Sequence, residues 1–248
     1  MTIYWGWVSA FSHRDLRLGI SLLLLLFAIG CRKAPDTRQT PTSGAAPAAT
    51  QPATSENGEQ QRPRIVILGD SLTAGLGLVE SQSFPALIQQ KLDTEGYKFE
   101  VVNAGVSGDT SAGGLRRLDW ALEGDVKVLV IALGANDGLR GLSVAEMKNN
   151  LAEIIQRARN RGVLCILAGM EAPPNFGPEY TTAFRLAYRD LALKNRMLFL
   201  PFLLDKVAGQ AALNQADGIH PNTQGAAIVA ENVWGVLRPV LDQMSASQ

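Results

Sequence analysis

Five short apolar runs, separated by stretches of helical periodicity, constrain this 248-residue chain more than any other feature. The first is Arg64-Ile65-Val66-Ile67-Leu68-Gly69, and the others fall at Phe99–Val102, Val126–Leu133, Val163–Ala168 and Met197–Phe202. A continuous run, with no polar–apolar alternation, suits a strand buried on both faces, as a parallel sheet requires. Between the runs, apolar residues recur at helical spacing: Phe84, Leu87, Ile88 and Leu92, then Met147, Leu151, Ile154, Ile155 and Ala158. The stretch Tyr180–Leu193 carries Phe184, Ala187, Tyr188 and Leu191 on one face, and a last helix is predicted over Thr223–Leu241. Strand–helix alternation predicts a single α/β domain over residues 63–246, a parallel sheet covered by helices on both faces with right-handed crossovers. Ligands of such sheets bind outside the carboxyl ends of the strands. The loops following each run are therefore where chemistry is expected.

The residues ahead of this domain read differently. Residues 1–31 resemble an export signal: Arg14 and Arg17, then an apolar run Leu18–Ile29, shorter than the ~20 residues a membrane span needs. It ends in Ala28-Ile29-Gly30-Cys31, similar to the lipobox at which bacterial lipoproteins are lipidated on Cys. A bacterial lipoprotein anchored through Cys31, facing the periplasm or cell surface, is the expectation; a cleaved soluble signal and an uncleaved anchor are the alternatives. Residues 32–62 are rich in Pro, Thr, Ala, Ser, Gln and Glu and nearly free of large apolar side chains. Such a segment buries too little to offset its ordering entropy, so it reads as a disordered tether.

Composition excludes several functions. Acidic and basic residues balance at 23 each, so no net field favours nucleic acid. The cysteines are Cys31 and Cys165 and the histidines His13 and His220, which leaves no disulfide framework and no metal-ligand set. Cys165, inside an apolar run, reads as a small buried hydrophobe. Neither G-x-G-x-x-G nor G-x-x-x-x-G-K-[ST] follows the first run, which argues against a nucleotide site.

The loops hold a different set. Gly69-Asp70-Ser71-Leu72 follows the first run, Asn103-Ala104-Gly105-Val106-Ser107-Gly108-Asp109 the second, Gly134-Ala135-Asn136-Asp137 the third, and Asp217-Gly218-Ile219-His220-Pro221 precedes the last helix. Acyl transfer needs these types. A hydroxyl becomes a useful nucleophile only when a base takes its proton, and imidazole suits that role near neutral pH. A carboxylate fixes the imidazole tautomer, and Asp217, three residues from His220, can share one short loop with it. The tetrahedral oxyanion needs fixed donors, for which the candidates are the Ser71 N–H, the Gly105 N–H and the Asn136 amide.

These blocks resemble those of the SGNH, or GDSL, hydrolases, and specifically the acyl-CoA thioesterase/lysophospholipase/arylesterase subgroup. Gly69-Asp70-Ser71-Leu72 matches the nucleophile block, Gly105, Asn136 and His220 complete the family's name set, and Asp217–Pro221 matches the last block. Ser107–Gly114 and Pro173-Pro174-Asn175-Phe176-Gly177 are similar to the subgroup. The resemblance implies a flavodoxin-like three-layer α/β/α sandwich with a five-stranded sheet ordered 2-1-3-4-5. It also implies serine ester hydrolysis with Ser71, His220 and Asp217 catalytic, an oxyanion hole of Ser71, Gly105 and Asn136, and no metal or organic cofactor.

Each residue also has a plainer reading. Ser71 could cap a helix, Asp217 and Asn136 could hold their own turns, and Gly105 could serve only a turn. Asp70, Asp109 and Asp137 read as loop organisers. Leu139, Phe176 and Tyr180, with Leu76 and Leu78, are expected from position alone to line an acyl groove. Within the same fold a carbohydrate O-deacetylase is the alternative enzyme, and a non-catalytic lipid- or glycan-binding module the alternative from another class.

Overall fold

A computed structural model describes residues 62–246. The signal-like segment, Cys31 and nearly all of the tether lie outside these residues. In chain order the elements are β1 (Arg64–Gly69), α1 (Ser71–Ala74), α2 (Phe84–Glu95), β2 (Glu100–Gly105), α3 (Ser111–Arg116), α4 (Leu118–Ala121), β3 (Val126–Ala132), α5 (Ala135–Leu139), α6 (Val144–Asn160), β4 (Leu164–Ala168), α7 (Gly177–Asn195), β5 (Leu198–Leu200) and α8 (Thr223–Ala246). The strands form one parallel sheet in the order β2-β1-β3-β4-β5.

The apolar runs become strands because their residues are covered on both faces. Ile65 to Leu68 and Val128 to Ile131 are fully buried at the centre of the sheet. Helix α6 turns Met147, Leu151, Ile154, Ile155 and Ala158 inward, the five positions that the helical spacing marks. Its start is set by Ser143, whose hydroxyl accepts the Glu146 N–H at 3.3 Å, with Glu146 in the third helical position as in a capping box. Helix α2 begins at capping Ser83 with Pro85 in its first turn and stops at Gly96, which takes φ +83. Cys165 is buried in β4, and burial pushes its thiol up to about 11. Among the described residues, no helix is long and apolar enough to cross a membrane.

Two departures from the sequence reading matter for the site. The second strand runs on to Gly105, three residues past the apolar run, because edge strand β2 is mostly only part-buried and so accommodates polar Asn103. The short helices α1, α3, α4 and α5, four to six residues each, carry no periodicity of their own. They are short turns held by packing, with side-chain caps from Asp70 at α1 and Thr110 at α3.

Candidate active site

The parallel sheet brings every carboxyl strand end to one edge, and the chemistry gathers there. Gly69 permits the turn out of β1, since a Cβ on it would meet Thr73 Oγ1 at 1.9 Å. Asp70 caps α1, its carboxylate accepting the Leu72 N–H at 3.0 Å. Ser71 is therefore the first residue of the helix and not its cap. Its Oγ lies 2.9 Å from His220 Nε2, and His220 Nδ1 lies 2.7 Å from Asp217 Oδ2. The carboxylate accepts a hydrogen bond from Nδ1–H, so Nε2 presents its lone pair to the serine hydroxyl.

Asp217 serves its turn and the imidazole together. Its other oxygen accepts the backbone N–H groups of Ile219 and His220, each at 3.0 Å. The His220 and Ile219 N–H groups, and then the imidazole, hold this carboxyl down at about 2, so it is ionised wherever an imidazole ordinarily titrates. Gln215 fastens the histidine loop to the serine loop: its backbone N–H donates to His220 O at 2.7 Å, and its side-chain amide donates to Leu76 O at 2.7 Å. Nothing in the sequence of Gln215 signals that role, because the contact joins residues 139 positions apart.

Asn136 stands at the start of α5, its Nδ2 donating to Asp109 O at 2.9 Å and reaching Asp70 Oδ2 at 3.5 Å. The second contact is at the limit of a hydrogen bond, so one amide hydrogen remains available to a ligand. The Gly105 expectation needs correction. Val106 N–H donates to Gly69 O in β1, and successive N–H groups of a strand point in opposite directions. The Gly105 N–H therefore faces the free edge of the sheet, where Asn103 Oδ1 accepts it at 3.0 Å. Glycine is needed here for packing, since a Cβ would meet Ala74 N at 2.2 Å. Three residues on, Gly108 takes φ +84, its carbonyl accepts Arg140 Nη2 at 2.8 Å, and among the described residues its N–H meets no acceptor. The Ser71 N–H is likewise without one.

Arg117, which sequence reasoning missed, holds this edge together. Its guanidinium donates to Asp109 Oδ2 at 2.6 Å and to the carbonyls of Ala104 and Gly69, both at 2.7 Å. Asp137 does the same for the next loop, accepting the Ser111 N–H at 2.8 Å and hydroxyl at 2.6 Å. Asp70 is the exception among these carboxylates, because it is buried with little to compensate. Burial pushes it up to about 6, against the opposing pull of the Leu72 N–H and His220. Its folded value lies above its unfolded one, so its contribution to stability is full below about 3.8 and is lost as pH rises through about 6. Asp70→Asn keeps a capping oxygen and removes the charge. The variant is expected to gain stability over the parent between pH 4.5 and 7.5, by about 2 kcal/mol. Urea unfolding of both proteins at the two pH values checks this, and an equal difference at each would refute it.

A cavity of about 480 Å³ opens beside Ser71, Asn136 and His220, walled by Leu139, Met170, Ala172, Pro173, Phe202 and Leu204, with Ile219 next to the histidine. Leu139 lines it as expected; the other predicted groove residues do not. The 3₁₀ turn Pro174–Phe176 carries Phe176 onto the face of Gly141, where it packs against Tyr180 with ring centroids 5.3 Å apart. Tyr180 ties α7 to the turn between α5 and α6, its hydroxyl donating to Leu142 O at 2.8 Å. Leu76 and Leu78 border a second crevice, on another side of Ser71 and His220, of about 10 Å³, room for no more than a water. The walls that sequence reasoning missed follow β4 and β5, so their position after apolar runs was the available signal.

Residues 67–228 match the model of the GDSL-like lipase/acylhydrolase family. The chain belongs to this family. It is similar to esterase TesA of Pseudomonas aeruginosa, 46% identical over 71% of this chain and 89% of the relative. It is also similar to thioesterase 1/protease 1/lysophospholipase L1 of Escherichia coli, 35% identical over 73% of this chain and 86% of that one. Among solved structures, the psychrotrophic esterase EstA from Pseudoalteromonas sp. superposes with a TM-score of 0.69 at 33% identity, covering 72% of this chain and 98% of that chain. The GDSL-like hydrolase fold is thus the three-layer α/β/α arrangement described above, and the chain is a serine ester hydrolase.

Proposed function

We propose that the chain cleaves carboxylic esters, and thioesters, of short to medium acyl chains through an acyl-enzyme on Ser71, with the acyl group in the cavity walled by Met170, Phe202 and Leu204. The observation that carries this reading is the relay from Ser71 Oγ through His220 to Asp217, at 2.9 and 2.7 Å, opening on that apolar cavity. Ser71 Oγ attacks the carbonyl carbon while His220 Nε2 takes its proton, and Asp217 stabilises the imidazolium. The oxyanion receives the Ser71 N–H, the Asn136 amide and the Gly108 N–H, the last replacing Gly105. His220 returns the proton to the leaving oxygen or sulfur, and water releases the acyl group by the same steps. The names of the relatives, esterase and thioesterase/lysophospholipase, support both leaving groups.

Hydrolysis of p-nitrophenyl esters from acetate to palmitate, with an acyl-CoA series alongside, tests the reading. Rates are expected to rise from acetate to a medium chain and then to fall as the chain outgrows the cavity. A maximum at acetate with no gain beyond it would point to a deacetylase and refute the acyl-cavity assignment. We propose further that the protein is exported and tethered through lipidated Cys31, facing the periplasm or cell surface. The apolar run before Ala28-Ile29-Gly30-Cys31 supports this, and labelled fatty acid that still incorporates into Cys31→Ser would refute it.

A further inference from the structure

The site edge carries an excess of exposed apolar side chains. Among the described residues, eleven large hydrophobic side chains are exposed, and seven of them follow strand ends or border the site. Leu76 and Val79 come after β1, Val106 after β2, Leu139 and Leu142 after β3, and Phe176 after β4. Ile219, the residue before His220, is 45% exposed. Scattered apolar side chains are ordinary on a protein surface, whereas a set gathered on one face marks an interaction site.

These loops are linked into one rim. Gln215 bonds Leu76 O, Arg140 bonds Gly108 O, and Phe176 packs against Gly141. Several of the carboxylates in the loops are turned to partners within the fold: Asp109 to Arg117, Asp137 to Ser111 and Asp217 to His220. Leu139 and Ile219 belong both to the rim and to the wall of the 480 Å³ cavity, so the apolar surface is continuous with the space beside Ser71.

We propose that this rim docks on a lipid bilayer, so that an acyl chain passes from the membrane into the cavity without crossing water. The proposal rests on the acyl-cavity reading above. A bilayer is the occupant that matches a set of apolar side chains around an acyl-sized opening on a chain of zero net charge. The chain outside the described domain agrees. The domain begins at the amino-terminal edge of the sheet, opposite the rim, and residues 32–62 fully extended reach roughly 100 Å. A domain held at Cys31 by such a length has room to turn its rim toward the membrane that holds it.

The test uses the full chain with Cys31→Ser, leaving Cys165 buried and unreactive, and a single polarity-sensitive fluorophore placed by Val79→Cys, Leu142→Cys or, at the far edge of the sheet, Lys98→Cys. Phosphatidylcholine vesicles carrying brominated acyl chains are the probe. Emission at positions 79 and 142 is expected to shift to the blue and be quenched on adding vesicles, with position 98 unchanged. Vesicle-bound protein with no quenching at the rim, or equal quenching at all three positions, overturns the proposal. A blue shift that appears without vesicles and grows with protein concentration also overturns it, because a second copy of the chain then covers the rim. Turnover of a soluble p-nitrophenyl ester, measured on the same samples, separates failure of docking from failure of the ester hydrolase reading.

Discussion

Ser71→Ala is expected to lower ester turnover by on the order of 10⁴–10⁶-fold while leaving the thermal melting temperature nearly unchanged. Removing a serine nucleophile typically leaves only the contribution of the oxyanion donors and of substrate binding. The structure explains why the fold should survive. The cap of α1 is Asp70, and among the described residues the Ser71 hydroxyl hydrogen-bonds to His220 alone. Its loss therefore leaves no buried donor without a partner, apart from an imidazole at the mouth of a solvent-accessible cavity. Turnover of a p-nitrophenyl ester should vanish together with covalent labelling by an organophosphonate. A variant keeping more than a few per cent of the parent rate would place the nucleophile elsewhere.

Asn136→Ala should cost on the order of 10²–10³ in kcat, with a smaller change in KM, if its amide stabilises charge that develops only in the transition state. The residue has a second task, because its Nδ2 also holds Asp109 O, the carbonyl of the residue after Gly108. Two of the three proposed oxyanion donors therefore depend on Asn136, which places the expected loss at the upper end of that range. A turn-holding role alone would show as a lower melting temperature with kcat largely kept. Steady-state kinetics and thermal unfolding on the same preparation distinguish the two, and full activity in the variant would remove Asn136 from the oxyanion site.

Much of the architecture was legible in the sequence, for a physical reason. A strand covered on both faces must be apolar throughout, and helices packed on a sheet must be apolar every three to four residues. Ile65–Leu68, Val128–Ile131 and the Met147–Ala158 stripe therefore declare their burial locally. The order 2-1-3-4-5, which the family resemblance and not the periodicity implied, matches the sheet observed. The pairing of Asp217 with His220 was legible too, because a spacing of three residues lets a single turn build it.

Other features were decided only when distant loops met. Whether a glycine aims its N–H at a substrate or merely makes room for a helix depends on where the chain goes next. Gly105 and Gly108 look alike in sequence, but edge-strand geometry turns the Gly105 N–H toward Asn103, whereas the Gly108 N–H, in the loop beyond, meets no acceptor among the described residues. Arg117 and Gln215 carry no local pattern, because the carbonyls they bind come from strands and loops far away in the chain. Phe176 and Tyr180 left the expected groove for the same reason, drawn onto the Gly141-Leu142 turn that follows α5. Periodicity and short-range spacing thus determined which elements form and which side chains could do chemistry. The tertiary fold alone decided which way each donor points and which apolar residues surround the serine, because direction and enclosure arise only between segments that sequence order keeps apart.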